Sequence, residues 1–198
     1  NTSTCAQTIT IEDNVAPVIT TQASDLTVEC DGAGNTTALN GWLASQGGAA
    51  ATDDCGNVTF TNNFAGLSDD CGETGTATVI FTAADECGNT ATTTATFTIE
   101  DTQDPVVSTP AADLTVECDG SGNTADLNAW LAAQAGANAS DDCSNVTWSH
   151  DFTGLSNGCG ETGAATVTFT ATDECGNTAT STAIFTIEDT QVPTVTCP

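Results

Sequence analysis

The side chains able to do chemistry in this sequence are carboxylates and thiols, and both come in groups. Acidic clusters stand at Glu12-Asp13, Asp53-Asp54, Asp69-Asp70, Asp85-Glu86, Glu100-Asp101 with Asp104, Asp141-Asp142, Asp173-Glu174 and Glu188-Asp189. The chain holds 27 acids, no Lys or Arg and a single His, a formal charge of −27. No carboxylate can pair with Lys or Arg, so self-repulsion must be relieved by solvent, salt or bound cations. Oxygen ligands in such groups suit Ca²⁺, which takes about 6–8 of them. The competing reading is that these acids are solvated turn residues that form Asx-turns and keep the chain soluble.

The cysteines follow a rule of spacing. Cys30, Cys55, Cys71 and Cys87 recur 88 residues later as Cys118, Cys143, Cys159 and Cys175, and Glu12, Glu100 and Glu188 keep the same interval. About two-thirds of the positions compared at this offset are identical, with no insertion or deletion. This is a tandem array. Residues 1–12 read as the last strand of a preceding repeat, 13–100 and 101–188 as two complete repeats, and 189–198 as the start of another. A unit of this size buries only a modest core and gains from staples. Cysteines at repeated positions point to disulfides and an oxidising, extracellular compartment. Zinc is disfavoured, because the chain has no C-x-x-C and one His.

Several function classes fall away on composition. Nothing here can neutralise the phosphates of nucleic acid or bind an anionic membrane surface, and the apolar runs are too short to insert in a bilayer. A Ser-His-Asp arrangement would rest on His150, whose equivalent in the first repeat is Asn62. Paired carboxylates of glycosidase type need a deep cleft and aromatic subsites, whereas aromatic content is 5%. A phosphate loop with its Lys is absent. The expectation is a protein that is not an enzyme. Asn1, Asn35, Asn57, Asn138 and Asn145 occupy N-x-Ser/Thr sequons.

The elements that position these groups are mostly strands. Val18–Thr21 and Asp25–Cys30 read as short strands, and Asn35 as a helix N-cap after the Asp31–Asn35 break. Leu39, Trp42 and Leu43 fall on one helical face, as do Leu127, Trp130 and Leu131, with Gly47-Gly48 and Gly136 as stops. Both tryptophans are expected in the core, where the helix packs on a sheet. Asn57–Thr61, Thr76–Ala83 and Thr90–Ile99 alternate as strands, with Val79, Phe81, Ala95, Phe97 and Ile99 inward and Thr outward. The pattern argues an all-β chain: tandem immunoglobulin-like β-sandwich domains, each with a short helical insertion and disulfide staples.

The stretch Thr82-Ala83-Ala84-Asp85-Glu86-Cys87-Gly88-Asn89-Thr90-Ala91, followed by Phe97-Thr98-Ile99-Glu100-Asp101 and Pro105, resembles the hyalin repeat (HYR) and related bacterial immunoglobulin-like modules. The resemblance is best over Asp53–Asn57 and Thr76–Pro105, and the helix departs from the usual repeat. It implies a segment of a large secreted surface adhesin. It also implies that Cys5 belongs to a last strand of an upstream module, and that Cys197 opens a downstream one. The corresponding positions in the complete repeats are Thr93 and Ser181 for Cys5, and Thr21 and Thr109 for Cys197. A bond between Cys5 and Cys197 of successive molecules in a fibre is the alternative.

Cys71 and Cys87 flank an extended strand and are out of disulfide reach of one another. The loop before Asn57 and the loop Asp85–Asn89 share one end of such a sandwich. The expected bonds are therefore Cys55–Cys87 and Cys30–Cys71, and likewise Cys143–Cys175 and Cys118–Cys159. The same strand order carries the linker acids of one repeat toward the loops of the next. Glu100, Asp101 and Asp104 are expected near Asp141, Asp142, Asp173 and Glu174, and Glu12 and Asp13 near Asp53, Asp54, Asp85 and Glu86. Calcium is the expected cofactor, and Asp31–Asn35 is a weaker candidate loop.

The function expected is a stalk or filament segment of a secreted cell-surface adhesin, bacterial in origin, rigidified by disulfides and inter-domain calcium. Its partners would be neighbouring repeats, a homotypic filament or bundle, and a cell-surface or glycan target reached through another region. The alternatives are a surface- or glycan-binding module using Thr-rich faces, or repeats appended to an extracellular enzyme.

Overall fold

The computed structural model describes residues 1 and 3–195. Two units emerge, Asn1–Asp70 with Thr74–Glu100, and Cys71–Glu73 with Asp101–Pro198.

The first unit contains β1 (Val18–Thr21), β2 (Leu26–Glu29), helix α1 (Thr36–Ala44), β3 (Ala50–Thr52), β4 (Thr59–Asn62), β5 (Gly75–Ala84) and β6 (Thr90–Glu100). β2, β6, β5 and β4 lie side by side in that order, with β2 parallel to β6 and the other pairs antiparallel. β1 pairs antiparallel with β3, with a bulge between Ile19 and Thr21. The first, split strand thus serves both sheets, as in an immunoglobulin-like sandwich.

The β5–β6 hairpin runs unbroken from Gly75↔Ile99 to Ala84↔Thr90. Its period of two sends Val79, Phe81, Ala83, Ala95, Phe97 and Ile99 into the core. Thr is left for the outer face, where Thr78 and Thr96 bring their hydroxyls to 3.3 Å. α1 closes the core from the other side. The Trp42 ring meets Phe81 edge-on at 5.3 Å and Phe97 at 5.5 Å. Its indole N–H donates to the Ser24 carbonyl at 3.0 Å, as a buried Trp requires.

The second unit repeats this with β7 (Val106–Thr109), β8 (Leu114–Glu117), α2 (Thr124–Ala132), β9 (Asn138–Ser140), β10 (Thr147–His150), β11 (Gly163–Thr172) and β12 (Thr178–Glu188). The sheets are β8-β12-β11-β10 and β7-β9. Leu127, Trp130 and Leu131 of α2 pack on Val167, Phe169, Ala183, Phe185 and Ile187. Each unit is an all-β, immunoglobulin-like sandwich with one short helix inserted after its second strand.

Three expectations need correction. Asn35 stands at the helix start but does not cap it, and adopts a left-handed conformation at φ 49°. Its amide instead accepts from the Asp31 N–H at 3.2 Å and donates to the Glu29 carbonyl at 2.7 Å, closing the loop on itself. The stretch Cys5–Ile11 forms no strand, and Ile9 and Ile11 are exposed.

The disulfides differ most. Cys71 is bonded to Cys175, with Cα atoms 5.1 Å apart, so neither Cys30–Cys71 nor Cys143–Cys175 exists. Cys55, Cys87, Cys118 and Cys159 are free thiols, so Cys55–Cys87 and Cys118–Cys159 are not formed either. Cys30 and Cys143 are disulfide-bonded as well. The cause is that Cys71–Glu73 folds with the second unit, where the Glu73 N–H donates to the Cys143 carbonyl at 2.9 Å. Cys5 is a free, exposed thiol, and Cys197 lies outside the described residues.

Candidate metal centre

The acids before β1 and the acids after β3 meet in the first unit. Asp13, Asp53 and Asp54 line a cleft of about 220 Å³ beside Val18 and Cys55. In the second unit Asp101, Asp104, Asp141 and Asp142 line the equivalent cleft beside Val106 and Cys143. Asp13, Asp53 and Cys55 each place one ligand atom within 4.8 Å of the others, and so do Asp101, Asp141 and Cys143. Sulfur is a poor ligand for a hard cation, and Cys143 is committed to a disulfide. The carboxylates are the usable part of each group.

Asx-turns hold these carboxylates in place. Asp13 accepts from the Val15 N–H at 3.0 Å, and Asp53 from the Cys55 N–H at 2.8 Å. Asp141 accepts from the Cys143 and Ser144 N–H groups at 2.9 and 3.1 Å, and Asp101 from the Gln103 N–H at 3.3 Å. Each turn uses one carboxylate oxygen and fixes the angle of the group. The turn-forming and ligand-offering roles therefore coexist in the same residue.

Asp85 and Asp173 behave differently. Both are buried, at 8% and 5% exposure, and their oxygens are taken up by their own loops. Asp85 accepts from the Cys87 and Asn89 N–H groups at 2.8 and 2.9 Å and from the Asn89 side chain at 2.7 Å. Asp173 accepts from the Asn177 N–H and side chain, both at 2.8 Å. Burial pushes the Asp85 carboxyl upward, but hydrogen bonds from Asn89, Gly88 and Cys87 outweigh it and leave it below the usual range. The two Asn side chains then reach the cleft's backbone. Asn89 donates to the Asp13 carbonyl at 3.2 Å, and Asn177 to the Asp101 carbonyl at 3.1 Å. Asp85 and Asp173 thus position the cleft rather than line it.

Other expected ligands lie outside these two clefts. Glu86 and Glu174 accept from Asn57 and Asn145 at 3.0 Å. Glu12 and Glu100 do not line either cleft. The weaker loop is consumed in turns, with Asp31 accepting from the Ala33 and Asn35 N–H groups, both at 2.9 Å. Its counterpart Asp119 is held below the usual range by N–H groups of Asn123 and Ser121.

Sequence reasoning missed Asn89, Asn177 and Glu73. The recurring Asp-Glu-Cys-Gly-Asn segment carried a signal for the first two, since an Asn four residues after an Asp can close its loop. Glu73 joins Asp141, Asp142 and Glu174 around an open cleft of about 400 Å³ in the second unit. Nothing in its sequence neighbourhood marks it for that position. His150 is exposed, and its Nδ1 accepts from the Phe152 N–H at 3.4 Å. Open carboxylate clefts of this kind can hold a hard cation.

No family model matches the chain, and no curated protein matches it. Among solved structures it is similar to Drosophila N-cadherin EC1-4, at 9% identity and a TM-score of 0.36, over 88% of this chain and 50% of that one. A chimeric titin Z1Z2 tandem gives 15% identity and a TM-score of 0.25, over 87% and 99% of the two chains. The protocadherin γB4 extracellular domain gives 14% and 0.34, over 90% and 33%. The chain thus spans half or less of the length of the two cadherin-type structures. At these scores the likenesses carry no argument, and the fold rests on the strand order itself. No described helix is long and apolar enough to cross a membrane.

Proposed function

We propose that this chain is a non-catalytic structural segment, a stalk or filament piece, of a secreted cell-surface adhesin of the hyalin-repeat-like kind, and that it binds calcium. The observation that carries the reading is the recurrence of one carboxylate cleft at equivalent positions: Asp13, Asp53 and Asp54, then Asp101, Asp141 and Asp142. A spacer needs the same unit repeated, and a chain at −27 with no Lys or Arg needs cations to hold its acids together. The residues 13–100 and 101–188 are the repeating domains in this reading. Its partners are neighbouring repeats of its own kind, with the adhesive target met elsewhere.

The test is the thermal midpoint of the 198-residue chain in calcium and in chelator at matched ionic strength. Specific binding at about a hundred times Kd stabilises by about 2.7 kcal/mol and beyond that rises only with the logarithm of concentration. The double variant Asp101→Asn with Asp141→Asn keeps the turn acceptors and should lose the part of the rise that belongs to the second unit. A rise matched by magnesium and sodium alike would reduce the effect to charge screening and defeat the calcium reading.

A further inference from the structure

Four pairs of residues, each related by the repeat interval, have identical or near-identical sequence and opposite fates. Cys71 is bonded, whereas its equivalent Cys159 is a free, exposed thiol. Cys175 is bonded, whereas its equivalent Cys87 is free and exposed. Cys143 is 4% exposed and its equivalent Cys55 is on the surface. The last pair is Gly72 and Gly160. Both have positive φ, +57° and +64°. A Cβ on Gly72 would stand 2.5 Å from the Cys143 carbonyl oxygen and 2.7 Å from the Ser144 Cβ, whereas a Cβ on Gly160 would meet nothing within 4 Å.

These differences have one explanation. Cys71-Gly72-Glu73 is a strap docked on the second unit, held by the Cys71–Cys175 bond and by the Glu73 N–H on the Cys143 carbonyl at 2.9 Å. Cys159-Gly160-Glu161 has the same sequence and the same left-handed glycine, but a Cβ on that glycine would meet nothing, and Cys159 and Glu161 are exposed. The first unit shows the matching dock uncovered: the exposed Cys87 thiol for the bond and the exposed Cys55-Gly56 backbone for the strap. Gly56 replaces Ser144 there and leaves more room.

We infer that Cys159-Gly160-Glu161 of one copy of this repeat pair docks on Cys55-Gly56 of a second copy and bonds through Cys159 to its Cys87. Repeats of this kind are thereby linked covalently in a head-to-tail line. This inference stands whether or not the clefts bind calcium. The chemistry is thiol–disulfide exchange with a small disulfide such as oxidised glutathione. The Cys159 thiolate attacks the glutathione disulfide and expels one glutathione thiolate. The Cys87 thiolate then attacks the mixed disulfide at the Cys159 sulfur and expels the second. Two protein thiols lose two protons and two electrons, and one disulfide oxidant becomes two thiols.

The test uses the full chain with Cys5, Cys55, Cys118 and Cys197 each changed to Ser, incubated with oxidised and reduced glutathione. High salt screens the repulsion between chains. The expected result is a ladder of multimers on a non-reducing gel, and a cross-linked peptide containing Cys87 and Cys159. A Glu-specific protease is needed to release it, because the chain offers no Lys or Arg. Adding Cys87→Ser or Cys159→Ser to that chain should abolish the ladder, and mixing the two should restore a dimer only. Gly160→Asn, which tolerates positive φ but adds a Cβ at the docking surface, should slow the link by about tenfold or more. Random collision would instead give Cys87–Cys87 and Cys159–Cys159 pairs in statistical proportion, untouched by Gly160→Asn, and would overturn the inference. Absence of a ladder would overturn it too, as would a Cys55–Cys87 peptide as the main product of the chain with its natural cysteines.

Discussion

The two units are near copies in sequence and fold, yet their chemistry at one loop differs. In the second unit Cys143 is buried, Cys175 is half-buried and both are bonded, whereas Cys55 and Cys87 in the first are exposed thiols. The tryptophan geometry, by contrast, is the same in both, with Trp42 and Trp130 each 5.3 Å from the first Phe and 5.5 Å from the second. Core packing is therefore set inside the unit, by residues the repeat copies faithfully. The state of the loop cysteines is set by whether a Cys-Gly-Glu strap lies against them.

The largest effect expected from this contrast is at the bond itself. Cys175→Ser should destabilise the second unit by about 2–4 kcal/mol in guanidinium unfolding, as the loss of a long-range disulfide does. Cys87→Ser, at the equivalent position, should leave the monomer's first unit within about 0.5 kcal/mol. Equal losses at the two sites would break the comparison.

A smaller effect belongs to the glycines. Gly72→Ala and Gly160→Ala share a left-handed backbone penalty of about 1–2 kcal/mol. Gly72→Ala adds overpacking against the Cys143 carbonyl, so its midpoint should fall below that of Gly160→Ala by a further 1–3 kcal/mol or about that. Identical midpoints would mean that the strap shifts easily and contributes little.

The smallest effect is acidic. Asp119 is held below the usual carboxylate range by the Asn123 and Ser121 N–H groups, and Glu117 by Thr190, whose hydroxyl donates at 2.7 Å. A group with a depressed folded pKa contributes stability above its unfolded value and loses it as the pH falls through the folded one. The second unit should therefore weaken as the pH drops below about 4. Asp119→Ala should flatten that slope in an acid titration followed by circular dichroism. An unchanged slope would remove Asp119 from the account.

Much of this was legible in the sequence, for reasons that are local. Val79, Phe81, Phe97 and Ile99 alternate because a strand alternates, and Leu39 and Trp42 share a face because a helix turns every 3.6 residues or so. The end shared by the Asn57 and Asp85–Asn89 loops follows from antiparallel pairing of neighbouring strands, and Asn57 indeed donates to Glu86. The site was less legible. Asp85 and Asp173 are acids in acidic clusters, but burial and their own loops' N–H groups engage them before any cation could. An Asn four residues on separates them from Asp13, but Asp53 and Asp141 have the same spacing to Asn57 and Asn145, so the pattern does not tell a loop-closing acid from a cleft-lining one. The Asn35 side chain, a good cap by type, found better partners in Asp31 and Glu29.

The cysteines mark the boundary between the two kinds of knowledge. Residue types and their spacing set the repeat interval, the sandwich strands with their inserted helix, the inward aromatic residues and a charge that only solvent or cations can compensate. Those properties depend on residue type and on periods of two and 3.6 or so, which are short-range. The tertiary structure alone decided that Cys71 bonds Cys175, 104 residues away, and that Gly72 lies on the Cys143 carbonyl. A four-cysteine repeat allows bonds within itself or with the next copy equally well by count. The choice depends on which unit a three-residue strap folds against, and that is a matter of distance in space rather than spacing along the chain.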